Sequence, residues 1–367
     1  MVYYVRFLKS PRLQNHQAGV VSVSALISIT TDLGDAFLAD DVRLHATLSS
    51  VDTNTVLRQD SFLWQAGKRE LLVSVGPVRL GSRPPMVILG IGSSASVDTP
   101  PSQTDSLLDP STVPVVISGW STAFGGPQAL PAEKLIERRL RLQNQSELRV
   151  WEETGNNIAR HIWDAALAAV MCLQRGITDP GATAMPRLQD HLRGRGDQTL
   201  RVVELGSGCG IVGIALAEMM PRCAVTLTDL PEVDDIVARN IKAAHPARGS
   251  TIDFRVLDWD QAPGEDVFSQ PVDLVLVSDC TYNADSLPSL VRMIDALVRR
   301  SSNALVLVAL KRRHDSEAVF FDLMHDAALS TLERDTIALP SPYADGDEDL
   351  QENTIEIYLF GRSKSRS

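Results

Sequence analysis

The residues best suited to chemistry lie between positions 204 and 282. Glu204-Leu-Gly-Ser-Gly-Cys-Gly210 sets an acid beside three closely spaced glycines. Glycine has no Cβ, so backbone N–H groups can approach a ligand at a helix N-terminus. Asp229 follows Gly208 by 21 residues, the spacing at which an acid holds a ribose diol. Asp258-Trp259 offers an acceptor for an adenine amino group and an indole to cover the adenine face. Ser278-Asp279-Cys-Thr-Tyr282 offers a carboxylate and, three residues on, an aromatic ring that can face an ammonium group. These residue types together suit a nucleotide-like cofactor and an amine acceptor.

Two cofactors compete for the glycine turn. Gly208-Cys-Gly-Ile-Val-Gly213 fits G-x-G-x-x-G, the dinucleotide fingerprint. Its register is awkward, because the first glycine after the apolar run is Gly206. Glu204 would also set a negative charge against a pyrophosphate. S-adenosylmethionine carries an ammonium, a sulfonium and no phosphate, so Glu204 favours it. A tight turn without any ligand is the plain alternative. The plain alternatives are a helix N-cap for Asp229 and core packing for Trp259. Asp279 fits a cap on a helix from Asp285 onward. Trp163 could close over the cofactor or pack as core.

The elements that must position these groups follow from periodicity. From residue 157 onward, apolar runs at 201–205, 223–228, 252–257, 272–278 and 303–310 predict strands. Helical stretches at 210–220, 232–242, 285–299 and 315–328 separate them. This alternation predicts an α/β fold with a doubly wound, Rossmann-like parallel sheet. Ligands of such sheets sit beyond the carboxyl ends of the strands. That is where the turn at 206–210, Asp229, Asp258 and Asp279 fall. Two last runs, 330–339 and 353–361, are joined only by a loop and predict an antiparallel pair. Ile158, Ile162, Ala165, Ala166, Ala169 and Leu173 predict a helix ahead of the sheet. Residues 1–148 predict a β-rich domain, with strands at 20–30, 42–50, 55–64, 70–75, 86–91 and 113–119 and a loop over 93–114. Nothing in that half carries recognisable chemistry.

Composition bounds the rest. The 367 residues have room for about two domains. A net charge of −11 argues against a broad nucleic-acid footprint. No apolar run approaches the ~20 residues of a membrane span, and no signal segment opens the chain. Cys172, Cys209, Cys223 and Cys280 lack metal-type spacing and read as reduced thiols. The seven histidines are scattered, so no metal site is expected. The expected location is the cytoplasm, with the nucleus open as a second compartment. The segment Ser341–Glu352 carries Asp345, Asp347, Glu348, Asp349 and Glu352 without a basic residue. It fits a steering loop for a lysine-rich acceptor, or a solvated hairpin loop.

Taken in order, Trp163-Asp-Ala-Ala166, Glu204-Leu-Gly-Ser-Gly-Cys-Gly-Ile-Val-Gly213, Thr228-Asp-Leu230, Leu257-Asp-Trp259 and Asp279-Cys-Thr-Tyr282 resemble a known set. The region 149–367 resembles the lysine methyltransferase branch of methyltransferase family sixteen, the DxxY-type enzymes of the seven-β-strand class. The resemblance implies a seven-stranded sheet with an antiparallel last strand. It implies S-adenosylmethionine as cofactor, held by Trp163, Glu204, Gly206, Ser207, Gly208, Asp229, Leu230, Asp258, Trp259 and Ser278. It implies catalytic or lysine-positioning roles for Asp279 and Tyr282. The implied acceptor is a lysine on a protein such as a chaperone, translation factor or ATPase. Histidine, a protein N-terminus and a small molecule are the alternative acceptors. A non-catalytic cofactor-binding adaptor is the alternative of another class. The long β-rich N-terminal region departs from the compact animal members and resembles the extended fungal form.

Overall fold

The computed structural model describes residues 2–17, 19–81, 83–93, 103–155, 157–178, 184–261, 270–301, 303–313, 318–340 and 353–362. The first half is built from β1 (Tyr3–Gln17), β2 (Val20–Thr30), β3 (Val42–Ser50), β4 (Val56–Trp64), β5 (Leu71–Arg79) and β6 (Met86–Ser93). The short pairings β7 (Asp105–Ser106), β8 (Val116–Ile117), β9 (Gly119–Ser121) and β10 (Phe124–Gly125) follow. The hairpin of β11 (Leu135–Arg141) and β12 (Glu147–Glu153) completes it. Two sheets result, ordered β5-β2-β1-β8 and β12-β11-β9-β6-β3-β4. They share a core in which Val23, Ala25, Ile27 and Ile29 of β2 meet Leu44, Ala46 and Leu48 of β3. The alternate spacing of these residues is the strand period of two.

The division expected between residues 148 and 149 falls inside β12. That strand pairs with β11 from Leu135↔Glu153 to Arg141↔Glu147, so the β-rich unit runs through Glu153. The expected loop over 93–114 is structured in part. Asp105 is buried, and its carboxylate accepts from the backbone N–H and hydroxyl of Ser118.

The second half contains α1 (Asp164–Thr178), α2 (Pro186–Arg193), β13 (Leu200–Leu205), α3 (Ile211–Met219), β14 (Cys223–Asp229), α4 (Asp234–Ala243) and β15 (Thr251–Val256). Then come β16 (Leu274–Ser278), α5 (Leu287–Arg299), β17 (Leu305–Lys311), α6 (Ala318–Asp326), β18 (Leu329–Ala338) and β19 (Thr354–Arg362). The seven-stranded sheet has the order β15-β14-β13-β16-β17-β19-β18. Only β19 runs against its neighbours. Helices α1 to α4 cover one face and α5 and α6 the other. This is the class I methyltransferase arrangement that the alternation and the closing pair predict.

The helix predicted from residue 157 starts later. Residues Ile158–Arg160 form one 3-10 turn, and α1 begins at Asp164. Among the described residues no helix is long and apolar enough to cross a membrane. The acidic segment 341–352 lies outside the described residues.

The two halves share a core. Tyr4, Ile117, Leu140, Leu148 and Val150 join one apolar cluster with Ala165, Leu167 and Val170 of α1 and Ala215 of α3. Two residues on one face of β11 thus serve two cores along its length, with Ile136 in the sandwich and Leu140 against the helices. Charge ties the same seam. Arg138 Nε donates to Glu152 at 2.6 Å, and both side chains are almost fully buried. The second Glu152 oxygen accepts from the backbone N–H of Ile162 at 2.8 Å. A buried acid and guanidinium persist together because each removes the other's uncompensated charge.

Candidate active site

The carboxyl ends of β13, β14, β15 and β16 open on one cavity of about 370 Å³. All twelve residues singled out from the sequence line it: Trp163, Glu204, Gly206, Ser207, Gly208, Asp229, Leu230, Asp258, Trp259, Ser278, Asp279 and Tyr282.

The turn between β13 and α3 forms its floor. Gly206 has φ of +65°. A Cβ there would fall 2.5 Å from Cys280 Sγ and 3.1 Å from the Trp259 ring. Left-handed backbone and close approach together require glycine. Asp229 is not a helix cap. One of its carboxylate oxygens accepts from the Gly208 N–H at 2.7 Å, the other from the Leu230 N–H at 2.7 Å. It therefore pins the turn while facing the cavity. Glu204 is buried, and its Oε2 accepts from the Gly213 N–H at 2.8 Å. That bond ties it to the first turn of α3. Burial pushes the Glu204 carboxyl up to about 8, the Gly213 bond opposes this, and nearby Asp229 adds to it.

Trp259 follows β15 and lies beside Gly206. Asp258 accepts from the Asp260 N–H and the Gln261 amide, both at 3.0 Å, and so organises this turn. Trp163 lies just ahead of α1 rather than inside it. Its Nε1 donates to the Ile158 carbonyl at 3.2 Å. His161, expected on a helix, instead ends the 3-10 turn and bonds the Gly155 carbonyl.

Asp279 follows β16 with φ of +54°, a conformation costing an L-residue about 1 kcal/mol. It does not cap α5, which starts at Leu287. Both its oxygens accept from Arg313 Nη1 at 2.9 Å. Burial raises the Asp279 carboxyl, and the Arg313 guanidinium opposes that. Tyr282 stands at the mouth, 59% exposed.

Sequence reasoning missed the groups behind Asp279. Arg313 Nη2 donates to Asp32 at 3.0 Å. Lys311 Nζ donates to Asp164 at 2.9 Å and lies 3.8 Å from Asp32. The Tyr4 hydroxyl donates to Asp164 at 2.8 Å. Burial alone would lower the Lys311 ammonium, but Asp164 and Asp32 outweigh it and raise it. Burial and Asp32 push Asp164 up to about 6 against the pull of Lys311. Asp32 and Leu33 come from the N-terminal half, and Leu33 lines the cavity. That half therefore reaches the cavity wall and the ion pairs behind it. The one available signal was Lys311-Arg-Arg313 at the carboxyl end of a buried strand.

Three polar atoms test whether S-adenosylmethionine fits. Ser207 Oγ, Ser278 Oγ and Trp259 Nε1 are buried and have no hydrogen-bond partner among the described residues. Buried polar groups are rarely left so, and all three residues line the cavity. With the acids Glu204, Asp229, Asp258 and Asp279 lining the same cavity, they suit a ligand that is polar, partly aromatic and cationic.

Comparison with known proteins agrees with this geometry. The family profile described as "Lysine methyltransferase" matches residues 142–327, just over half of the chain. A UPF0665 family protein of Schizosaccharomyces pombe is 30% identical over 210 residues, covering 56% of this chain and 59% of that protein. The match thus spans about three fifths of that relative's length. Protein N-lysine methyltransferase METTL21A of Danio rerio is 28% identical, covering 51% of this chain and 72% of its own. Calmodulin-lysine N-methyltransferase of Arabidopsis thaliana is 30% identical over 35% of this chain and 43% of its own. Among solved structures, N-methyltransferase NodS of Bradyrhizobium japonicum is similar at 14% identity and a TM-score of 0.35, over 53% of this chain and 99% of that one.

Proposed function

This chain belongs to the lysine methyltransferase family, and on that premise we propose that it methylates the side-chain nitrogen of a lysine in a protein substrate, using S-adenosylmethionine. The carrying observation is the placement of Asp279 and Tyr282 on the cavity lined by Ser207, Ser278 and Trp259. When bound, S-adenosylmethionine supplies an electrophilic methyl group.

The residues then divide the work. Asp229 accepts from the ribose hydroxyls, and its bond to Gly208 keeps the turn in place. Trp259 covers the adenine, and Asp258 takes its amino group. Glu204 balances the ligand's positive charge. Trp163 and Leu230 close the walls. Asp279 draws the acceptor's ammonium to the inner end of the cavity, and Tyr282 sets its π face at the entrance. A lysine must lose its proton to attack, because its nitrogen is charged at pH 7. The open mouth beside Tyr282 leads that proton to solvent. Orientation supplies the rest of the rate.

The acceptor in this reading is a folded protein with a lysine-rich surface, of the chaperone, translation-factor or ATPase kind. Asp229, Glu232, Asp258 and Asp260 all line the cavity and suit a basic partner. Neither nucleic acid nor membrane is a partner in it. The four cysteines are buried and free, which supports a reducing compartment, the cytoplasm or nucleus.

The test is incubation of the full chain with tritiated S-adenosylmethionine and host lysate, beside the Asp279→Ala variant. Labelling of a discrete protein that disappears in the variant supports the reading. Equal labelling by the variant removes Asp279 from the reaction.

A further inference from the structure

Arg313 joins two carboxylates from opposite halves of the chain. Its Nη1 meets both oxygens of Asp279 at 2.9 Å, and its Nη2 meets Asp32 at 3.0 Å. Asp32 lies 281 residues away in sequence, in the segment that follows β2. It is 2% exposed. Its backbone is fixed as well as its side chain. Arg6 Nη2 donates to the Asp32 carbonyl at 2.9 Å and to the Thr31 carbonyl at 3.3 Å, while Arg6 Nε donates to Thr30 Oγ1 at 3.0 Å. The Leu33 N–H returns to Asp32 Oδ1 at 2.8 Å. A buried acid clamped at this many points has a defined place.

We propose that Asp32 is a positioning residue for the catalytic centre: by anchoring one arm of the Arg313 guanidinium, it leaves the other arm to hold Asp279 ready for the acceptor. The inference rests on the reading of Asp279 as the acceptor's carboxylate.

Charge explains why the anchor matters. The buried group contains the carboxylates of Asp32, Asp164 and Asp279 against two cations, Lys311 and Arg313. Arg6 and Arg138 face Glu152 beside them, so the cluster as a whole sets four carboxylates against four cations, with the Tyr4 hydroxyl neutral. The ammonium of an incoming lysine must therefore compete with Arg313 for Asp279. Arg313 is held away from full use of Asp279 because Asp32 claims its second nitrogen. Without Asp32, the guanidinium is free to turn both nitrogens onto Asp279 as a two-bond fork, the strongest arrangement for that pair. Asp279 would then be neutralised and its attraction for the acceptor lost. Alternatively the guanidinium leaves for solvent, and Asp279 loses its orientation. Both outcomes lower turnover, while Ser207, Asp229, Asp258 and Trp259 keep their places; the guanidinium also lies over the Trp163 ring, 5.3 Å from its centroid. The N-terminal β unit is on this view part of the catalytic centre, through one side chain.

Asp32 also has a structural duty, since its Oδ2 accepts from the Asp164 N–H at the start of α1 at 3.2 Å. The test separates the two. Asp32→Asn keeps an oxygen for that bond and removes the charge. In the full chain, with tritiated S-adenosylmethionine and the lysate fraction that accepts label, Asp32→Asn is expected to lower the rate at least tenfold. The calorimetric Kd for S-adenosylmethionine is expected within threefold of wild type. Added to Arg313→Gln, Asp32→Asn is expected to cost less than a further threefold, because the route through Arg313 is already gone. A wild-type rate for Asp32→Asn overturns the inference, as does a full second loss on top of Arg313→Gln. If Asp32→Asn does not fold, Arg313→Lys serves in its place. Lysine replaces the planar fork by a compact point charge that does not reproduce its two-armed geometry, so a tenfold loss supports the bridge and a wild-type rate overturns it. Asp279→Ala is the control. If it stays active, the parent reading fails. If it is inactive while Asp32→Asn is normal, this inference alone fails.

Discussion

Glu204 gives the sharpest test of cofactor chemistry, because its proton can be counted. In the protein alone, burial holds its carboxyl at about 8. At pH 6.5 it is then almost wholly protonated. A cationic ligand beside it favours the ionised form and pulls that value down. Binding of S-adenosylmethionine at pH 6.5 is therefore expected to release about one proton. The same linkage sets the affinity. Between pH 6 and 7 each unit removes about 1.4 kcal/mol of deprotonation cost, so Kd is expected to fall about tenfold. Calorimetry in phosphate and in an amine buffer of the same pH reads the proton directly, from the difference in apparent enthalpy. Glu204→Gln keeps an acceptor for the Gly213 N–H and has no proton to lose, so both effects are expected to vanish. Stability has the opposite sign. The folded carboxyl binds its proton more tightly than the unfolded one, whose value is 4.5. Stability without ligand is thus fullest below pH 4.5 for this group and is lost as pH rises toward 8, by up to about 5 kcal/mol. Zero proton release, or an equal release by Glu204→Gln, would refute the placement of positive charge beside Glu204.

Three further outcomes follow from the same structure. Asp229→Ala is expected to weaken S-adenosylmethionine at least tenfold, about 1.4 kcal/mol, since it loses both the ribose acceptor and the anchor of Gly208; an unchanged Kd in calorimetry removes Asp229 from the site. Gly213→Ala places a Cβ 2.5 Å from Leu227, 2.6 Å from Glu204 Oε2 and 2.8 Å from Val225, so an overpacking loss of about 1–3 kcal/mol is expected in urea unfolding, and a wild-type midpoint would show that α3 can shift. A fragment of residues 157–367 is expected not to fold cooperatively, because Tyr4, Leu148 and Val150 would leave the α1 core uncovered; a sharp thermal transition with native near-ultraviolet dichroism would contradict the shared core.

The α/β half was legible because its central strands are buried on both faces. In β16 the first four residues, 274–277, are apolar and buried, and glycines or acids mark where such runs stop. The twelve cavity residues were legible for a related reason: strand ends in such sheets converge on one side. The N-terminal half was less so. In β11, Glu137, Arg138 and Arg139 are buried through ion pairs, so a core strand reads as a polar one. In β1, register shifts between Phe7 and Lys9 and between Lys9 and Arg12 break the alternation that marks a strand. The start of α1 was misplaced because Ile158 continues the apolar spacing yet is exposed at the cavity rim. Asp32 was beyond reach, because its partners are set by how the segment after β2 meets Arg313, just past β17, and the start of α1. No local pattern encodes that approach.

The central claim is that the labelled atom is a lysine nitrogen. The direct measurement is acid hydrolysis of the protein labelled by the wild-type chain and tritiated S-adenosylmethionine, followed by separation of its amino acids. Label is expected to run with the methylated lysines and to be absent when Asp279→Ala is used. Label on methylhistidine or on a methylated N-terminal residue would contradict lysine as the acceptor.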